Sequence, residues 1–272
     1  PELGEQKDAF ARVQHQGLDN IREIVPAPGE LAMRLKRVEV RMPAPDAQPI
    51  CWDELASFVA KEQCVLVIVN TRNNARDLFC RLPADSNNLH LSANMCPEHR
   101  SAIIVTIRER LTARGNGDCR PLRVISTQLI EAGVDVDFPV VYRAMAGLDS
   151  IAQSAGRCNR EGRLDGLGRV EVFLPEKSAP PGFLRQGEQT TLAMLKGGLL
   201  SDPLSPECIH RYFSEMNRKG DRDKHRICEL LEAEQTSDPA IDISFREAAK
   251  KFRLIDDNGL GVIVPYCQNT LD

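Results

Sequence analysis

Apolar positions along this chain follow two rhythms. Runs rich in β-branched residues at 65–69 (VLVIV), 124–127 (VIST) and 140–142 (VVY) lack regular polar alternation, the pattern of strands buried on both faces of a parallel sheet. Leu89-His90-Leu91-Ser92 and 169–174 (RVEVFL) read as two further strands. At 37–41 (RVEVR) apolar and charged residues alternate, as on a half-exposed strand. Between the runs the period lengthens. Trp52, Leu55, Phe58 and Val59 mark a packing helix over 52–61, another helix covers 75–82, and Ile103, Ile104, Ile107 and Leu111 stripe one that runs from Pro97 to 113. Proline suits a first helical turn, where its missing N–H would lack a partner anyway. Strand and helix alternating in this way predict an α/β fold with a parallel sheet and crossover helices.

The flanks differ. Residues 1–37 are mixed in pattern, with a helix candidate at 7–16 and a turn at Pro26-Ala27-Pro28-Gly29. They read as a linker leading into a domain over 38–175. Pro175-Glu176-Lys177-Ser178-Ala179-Pro180-Pro181-Gly182 reads as a boundary, and 176–272 as a mostly helical segment. Its helices are expected at 187–195, 206–218 and 223–234. Ser244-Phe245-Arg246-Glu247 fits a capping box that opens a short helix. A terminal strand at 261–266, paired with 253–255, ends the chain.

Composition narrows the class. With 272 residues, 42% hydrophobic and 27% charged, the chain is an ordinary globular protein with a sizeable core. A net charge of −4 argues against a wholesale nucleic-acid coat. Charge is uneven, however: residues 100–163 hold ten Arg, no Lys and seven acids. Guanidinium forks suit phosphate contacts, although ordinary surface arginines fit most of the ten as well. Nine cysteines without a C-x-x-C pair, and five histidines without ligand spacing, point to neither a disulfide framework nor a metal site. A reducing cytoplasm fits best. No run is apolar enough to span a membrane. The first residue is Pro rather than Met, as in a piece of a longer protein.

Candidate chemistry gathers between 124 and 162. Gln153, Arg157 and Arg160 stand at i, i+4 and i+7, one face of an expected helix. Two guanidiniums beside an amide suit an anion with several oxygens, such as a polyphosphate. Upstream, Asn70-Thr71-Arg72-Asn73-Asn74 follows a buried strand, the place where α/β folds bind ligands. Thr71 and Arg72 are either phosphate contacts or, for Thr71 and Asn73, helix caps.

These motifs resemble a known family. Ser126-Thr127 through Gly133-Val134-Asp135 is similar to motif V of superfamily-two helicases, and Gln153-Ser154-Ala155-Gly156-Arg157-Cys158-Asn159-Arg160 to motif VI. Residues 65–72 resemble motif IV. His90-Leu91-Ser92, Cys96-Pro97-Glu98-His99-Arg100, 130–137 and 245–266 resemble the CRISPR-associated helicase–nuclease of type I systems. The resemblance implies a RecA-like parallel sheet flanked by helices, the second motor domain of an ATP-dependent helicase that translocates on single-stranded DNA. It further implies that Arg157 and Arg160 act as arginine fingers. Gln153, Gly156, Gly133 and Asp135 would line the nucleotide, with Asp135 on the ribose hydroxyls. Thr71, Arg72, Ser92, Arg100 and Thr127 would touch the DNA backbone. ATP and Mg2+ would be held mainly by a first RecA-like domain, preceded in the family by an HD nuclease domain, and the CRISPR surveillance complex would be a partner. Within these 272 residues there is no G-x-x-x-x-G-K-[ST] loop, no D-E-x-H box and no His-Asp cluster. Two other readings stay open. One is the same half of another superfamily-two motor, on RNA or duplex DNA. The other is a non-hydrolytic adaptor that docks on the surveillance complex.

Overall fold

The computed structural model describes residues 6–7, 13–15, 22, 24–131, 133–219, 225–231, 243–252 and 266. Short antiparallel strands β1 (Gln6–Lys7) and β2 (Val13–His15) stand where a helix at 7–16 was expected. Inter-strand pairing prevails over an isolated helix of that length, which is marginal in water. Helix α1 (Pro28–Arg34) starts within the expected turn. The chain then alternates: β3 (Val38–Arg41), α2 (Trp52–Lys61), β4 (Cys64–Val69), α3 (Arg72–Phe79), β5 (Asn88–Leu91), α4 (Pro97–Gly115), β6 (Leu122–Thr127), a 3-10 turn at Gln128–Ile130, β7 (Val140–Ala144), α5 (Leu148–Ala155) and β8 (Gly168–Phe173). Helices α6 (Phe183–Lys196), α7 (Pro206–Lys219), α8 (Ile227–Leu231) and α9 (Phe245–Lys251) follow.

Six strands form one parallel sheet in the order β3-β8-β7-β4-β6-β5. Its centre, β4, is fully buried, and successive side chains point to opposite faces. Val65, Val67 and Val69 pack with α2 and α3 through Trp52, Leu55, Val59, Ala75 and Leu78. Leu66 and Ile68 pack on the other face with Ile107 of α4 and Ala155 of α5. Phe58, expected in the α2 stripe, is exposed, and Ala56 takes the buried place. Because all six strands are parallel, their carboxyl ends share one edge. That edge carries Asn70, Thr71, Ser92 and Thr127.

The chain divides into two compact units, Pro1–Met216 and Asn217–Asp272. The division lies beyond the expected boundary at 175/176. Met194 and Leu195 of α6 and Cys208, Tyr212 and Met216 of α7 pack with Met145, Leu148, Ile151 and Val172, so these helices belong to the unit that holds the sheet. In the second unit, Ser244 precedes α9 but its hydroxyl makes no capping bond; its backbone N–H donates to the Leu230 carbonyl at 3.1 Å instead. The expected strand at 261–266 and its pairing with 253–255 fall outside the described residues, apart from Tyr266.

Candidate nucleotide and nucleic-acid site

The predicted helix face at Gln153, Arg157 and Arg160 does not form. Helix α5 ends at Ala155, with Gly156 as its cap, and both arginines lie on the turn that follows. Several interactions end the helix there. Asn159 adopts φ 41°, outside the helical region. Its side chain donates to the carbonyls of Arg37 (3.0 Å) and Gly166 (3.1 Å) and accepts from Leu164 N–H (3.3 Å). The Asp137 carboxylate accepts the N–H of Arg160 (2.7 Å) and of Glu161 (3.2 Å). Phe138 and Cys158 pair as a short parallel bridge. Long-range acceptors thus replace the intrahelical ones that continuing the helix would supply.

The turn still brings the expected residues together by another route. Arg157 is half-buried and donates through Nε to the Ile130 carbonyl (3.1 Å) and through Nη2 to the Glu131 carbonyl (2.5 Å). Burial, and then the neighbouring Arg160, lower its pKa. Arg160 is exposed and pairs with the Asp135 carboxylate. The two side chains assigned to phosphate and ribose therefore face each other. Arg108 of α4 donates to the Asp135 carbonyl at 3.3 Å. Gly133 has φ +75° and open space where a Cβ would stand, so it serves backbone conformation rather than close approach. Gln153 and Gly156 are exposed on the adjoining end of α5. Gly156 and Arg160 also help to wall a cleft of about 870 Å³, together with α1 and the start of α7.

At the strand edge the five residues expected to meet DNA divide. Arg72 is exposed and Arg100 half-buried. Ser92 has no exposed surface and Thr127 is buried, so neither hydroxyl is at the surface. Thr71 caps α3, its hydroxyl accepting the Asn74 N–H at 3.1 Å. Of its two sequence readings, capping is the one the geometry displays. Helix α3 begins at Arg72, three residues before its expected start.

A buried polar cluster behind both groups escaped the sequence reading. Arg143 of β7 is fully buried, with Nε 2.9 Å from the Glu131 carboxylate and Nη1 2.7 Å from Asn70 Oδ1. Ser154 of α5 donates to the same carboxylate at 2.9 Å. Burial pushes the Glu131 pKa up, and Arg143 and Ser154 pull it back in part. The only local signal was an Arg and a Glu inside otherwise apolar runs, which a surface loop explains equally well. Among the described residues no group of three His, Cys, Asp or Glu could hold a metal, and no helix is long and apolar enough to cross a membrane.

Residues 61–163 match the family described as CRISPR-associated nuclease/helicase Cas3, C-terminal. The Cas3 nuclease/helicase of Haloferax volcanii is 62% identical over 40 residues, 15% of this chain and 4% of that protein. The Methanothermobacter thermautotrophicus protein of the same description is 33% identical over 99 residues, 36% of this chain and 11% of that one. A crystal structure of T. fusca Cas3 with ATP aligns at 20% identity and a TM-score of 0.49, covering 71% of this chain and 25% of that one. The chain thus spans a small fraction of the relatives it matches. From the end of α2 through the Arg157 turn, within a parallel sheet flanked by helices, the chain matches the C-terminal part of the Cas3 nuclease/helicase family.

Proposed function

We propose that this domain is the second motor half of an ATP-dependent helicase that translocates on single-stranded DNA in type I CRISPR interference. The observation that carries this is the convergence of Arg157, Arg160 and Asp135 from two separate loops, inside the span that matches the Cas3 family. When ATP with Mg2+ is held by a partner motor domain, charge builds on the transferred phosphoryl group, and positive groups aimed there lower the barrier. Arg157 suits that role because two backbone carbonyls fix its guanidinium in place. Arg160 is free to turn, since exposed pairs such as Arg160–Asp135 contribute only about 0–1 kcal/mol. Releasing it would also free Asp135 for ribose hydroxyls. Arg72 and Arg100 supply phosphate contacts, while Thr71, Ser92 and Thr127 shape the strand ends beneath them. The surveillance complex is the proposed partner of the whole protein.

The test is Arg157→Ala in the full-length protein, read as ATP turnover beside melting temperature. Turnover should drop roughly a thousandfold, as for arginine fingers in other motors. Lys at the same position should rescue poorly, because an ammonium lacks the planar fork. Near-normal turnover in Arg157→Ala would refute the assignment.

A further inference from the structure

The side chains of Arg143 and Glu131 have no part in the reading above, yet they hold the least expected positions in the domain. A guanidinium is always charged, and burying it is tolerated only where other groups satisfy it. Arg143 has no exposed surface and lies on β7, paired in register with Ile68 of β4. Its Nη1 donates to Asn70 Oδ1 (2.7 Å) and to the Ala144 carbonyl (2.8 Å), and its Nε lies 2.9 Å from Glu131 Oε1. Asn70 in turn donates to the Met145 carbonyl at 2.8 Å. Apart from the ion pair with Glu131, neither Nε nor Nη2 has a hydrogen-bond partner among the described residues. The pair is therefore tied to two loops, and those loops are the ones that matter. Asn70 immediately precedes Thr71 and Arg72 at the nucleic-acid edge. The backbone carbonyls of Glu131 and its neighbour Ile130 hold Arg157, and the Glu131 carboxylate also takes the Ser154 hydroxyl from α5.

A purely structural role would not require charge here, because well-packed apolar side chains often replace a buried ion pair without loss of stability. We infer that Arg143 and Glu131 are positioning residues that join the DNA edge at residues 70–72 to the guanidinium of Arg157. A shift of the β4 end on engaging a strand moves Asn70, then Arg143, then the 130–131 carbonyls, and so sets Arg157. This inference rests on the function proposed above.

The experiment uses the full-length protein and measures ATP turnover with and without single-stranded DNA, KM for ATP, and melting temperature. Arg143→Met combined with Glu131→Gln removes both charges at similar volume. The ratio of DNA-stimulated to DNA-free turnover should fall about tenfold, within the range of measured site–site couplings, with KM for ATP little changed. Ser154→Ala deletes one bond to Glu131 and should lower the same ratio about threefold. A wild-type ratio in the folded double variant overturns the inference, as does a wild-type ratio in Ser154→Ala should the double variant fail to fold. Normal turnover in Arg157→Ala would instead refute the proposed function itself. An inactive Arg157→Ala beside a normal double variant would sink only the link between the two sites.

Discussion

His90 shows at the scale of one residue how burial becomes pH dependence. It sits on β5 with its ring 5.5 Å from Phe79, and its buried Nε2 has no partner among the described residues. Burial, and then the nearby His99, lower its pKa from 6.5. Below pH 6.5 the unfolded chain therefore binds more protons at this site than the folded one. The resulting stability is fully present above that pH and is lost as pH drops toward the folded value. Denaturant midpoints should fall between pH 7.5 and 5.5, and His90→Phe should flatten that slope. An equal slope in the variant would place the titrating group elsewhere. Two residues further on, Ser92 was expected to contact DNA, but directly after β5 it has no exposed surface.

At the scale of elements, the turn after α5 and the loop before β7 form one unit. Asp137 from the loop ties down two N–H groups of the turn, and Arg157 from the turn ties down two carbonyls of the loop. Asp137→Ala strips an acceptor from two backbone donors and should cost about 1–3 kcal/mol, since an unsatisfied donor carries that penalty. It should also lower ATP turnover in the full-length protein by loosening the backbone that presents Arg157 and Arg160. Gly133→Ala meets no neighbour but must hold φ +75°. The cost is then backbone strain alone, about 1–2 kcal/mol for a left-handed residue, read as a lower melting temperature. An unchanged melting temperature in both variants would mean that the loop and turn fold independently. The sequence held clues to this turn in Gly156, Asn159 and Gly162, but the i, i+4, i+7 spacing of Gln153, Arg157 and Arg160 outweighed them.

At the scale of the whole molecule, the proposed function makes the sheet-bearing unit one wall of a motor cleft whose other wall is a partner domain. With no G-x-x-x-x-G-K-[ST] loop in the sequence, the β- and γ-phosphates have no cradle. The chain alone is expected to hydrolyse no ATP above buffer background, with or without DNA. Single strands should bind weakly and without sequence preference, and binding should weaken steeply with salt, because backbone phosphates supply the attraction. Tight binding to one sequence that survives high salt would contradict a backbone-reading surface.

The sequence by itself determined the parallel α/β layering, because strands buried on both faces and helices striped on one leave distinct periods in the chain. The span of α2 and the burial of β4 on both faces were legible in that way. Tertiary structure alone decided how the arginines are presented. Whether α5 continues past Ala155 depends on Asp137 and on carbonyls as distant in sequence as Arg37, which no local period reports. The same holds for the Arg143–Glu131 pair: each is a lone charged residue within an apolar stretch, and only the tertiary structure shows that the two charges meet out of water. Periodicity records which side of an element is buried; it is silent on which polar groups find one another once the elements are packed.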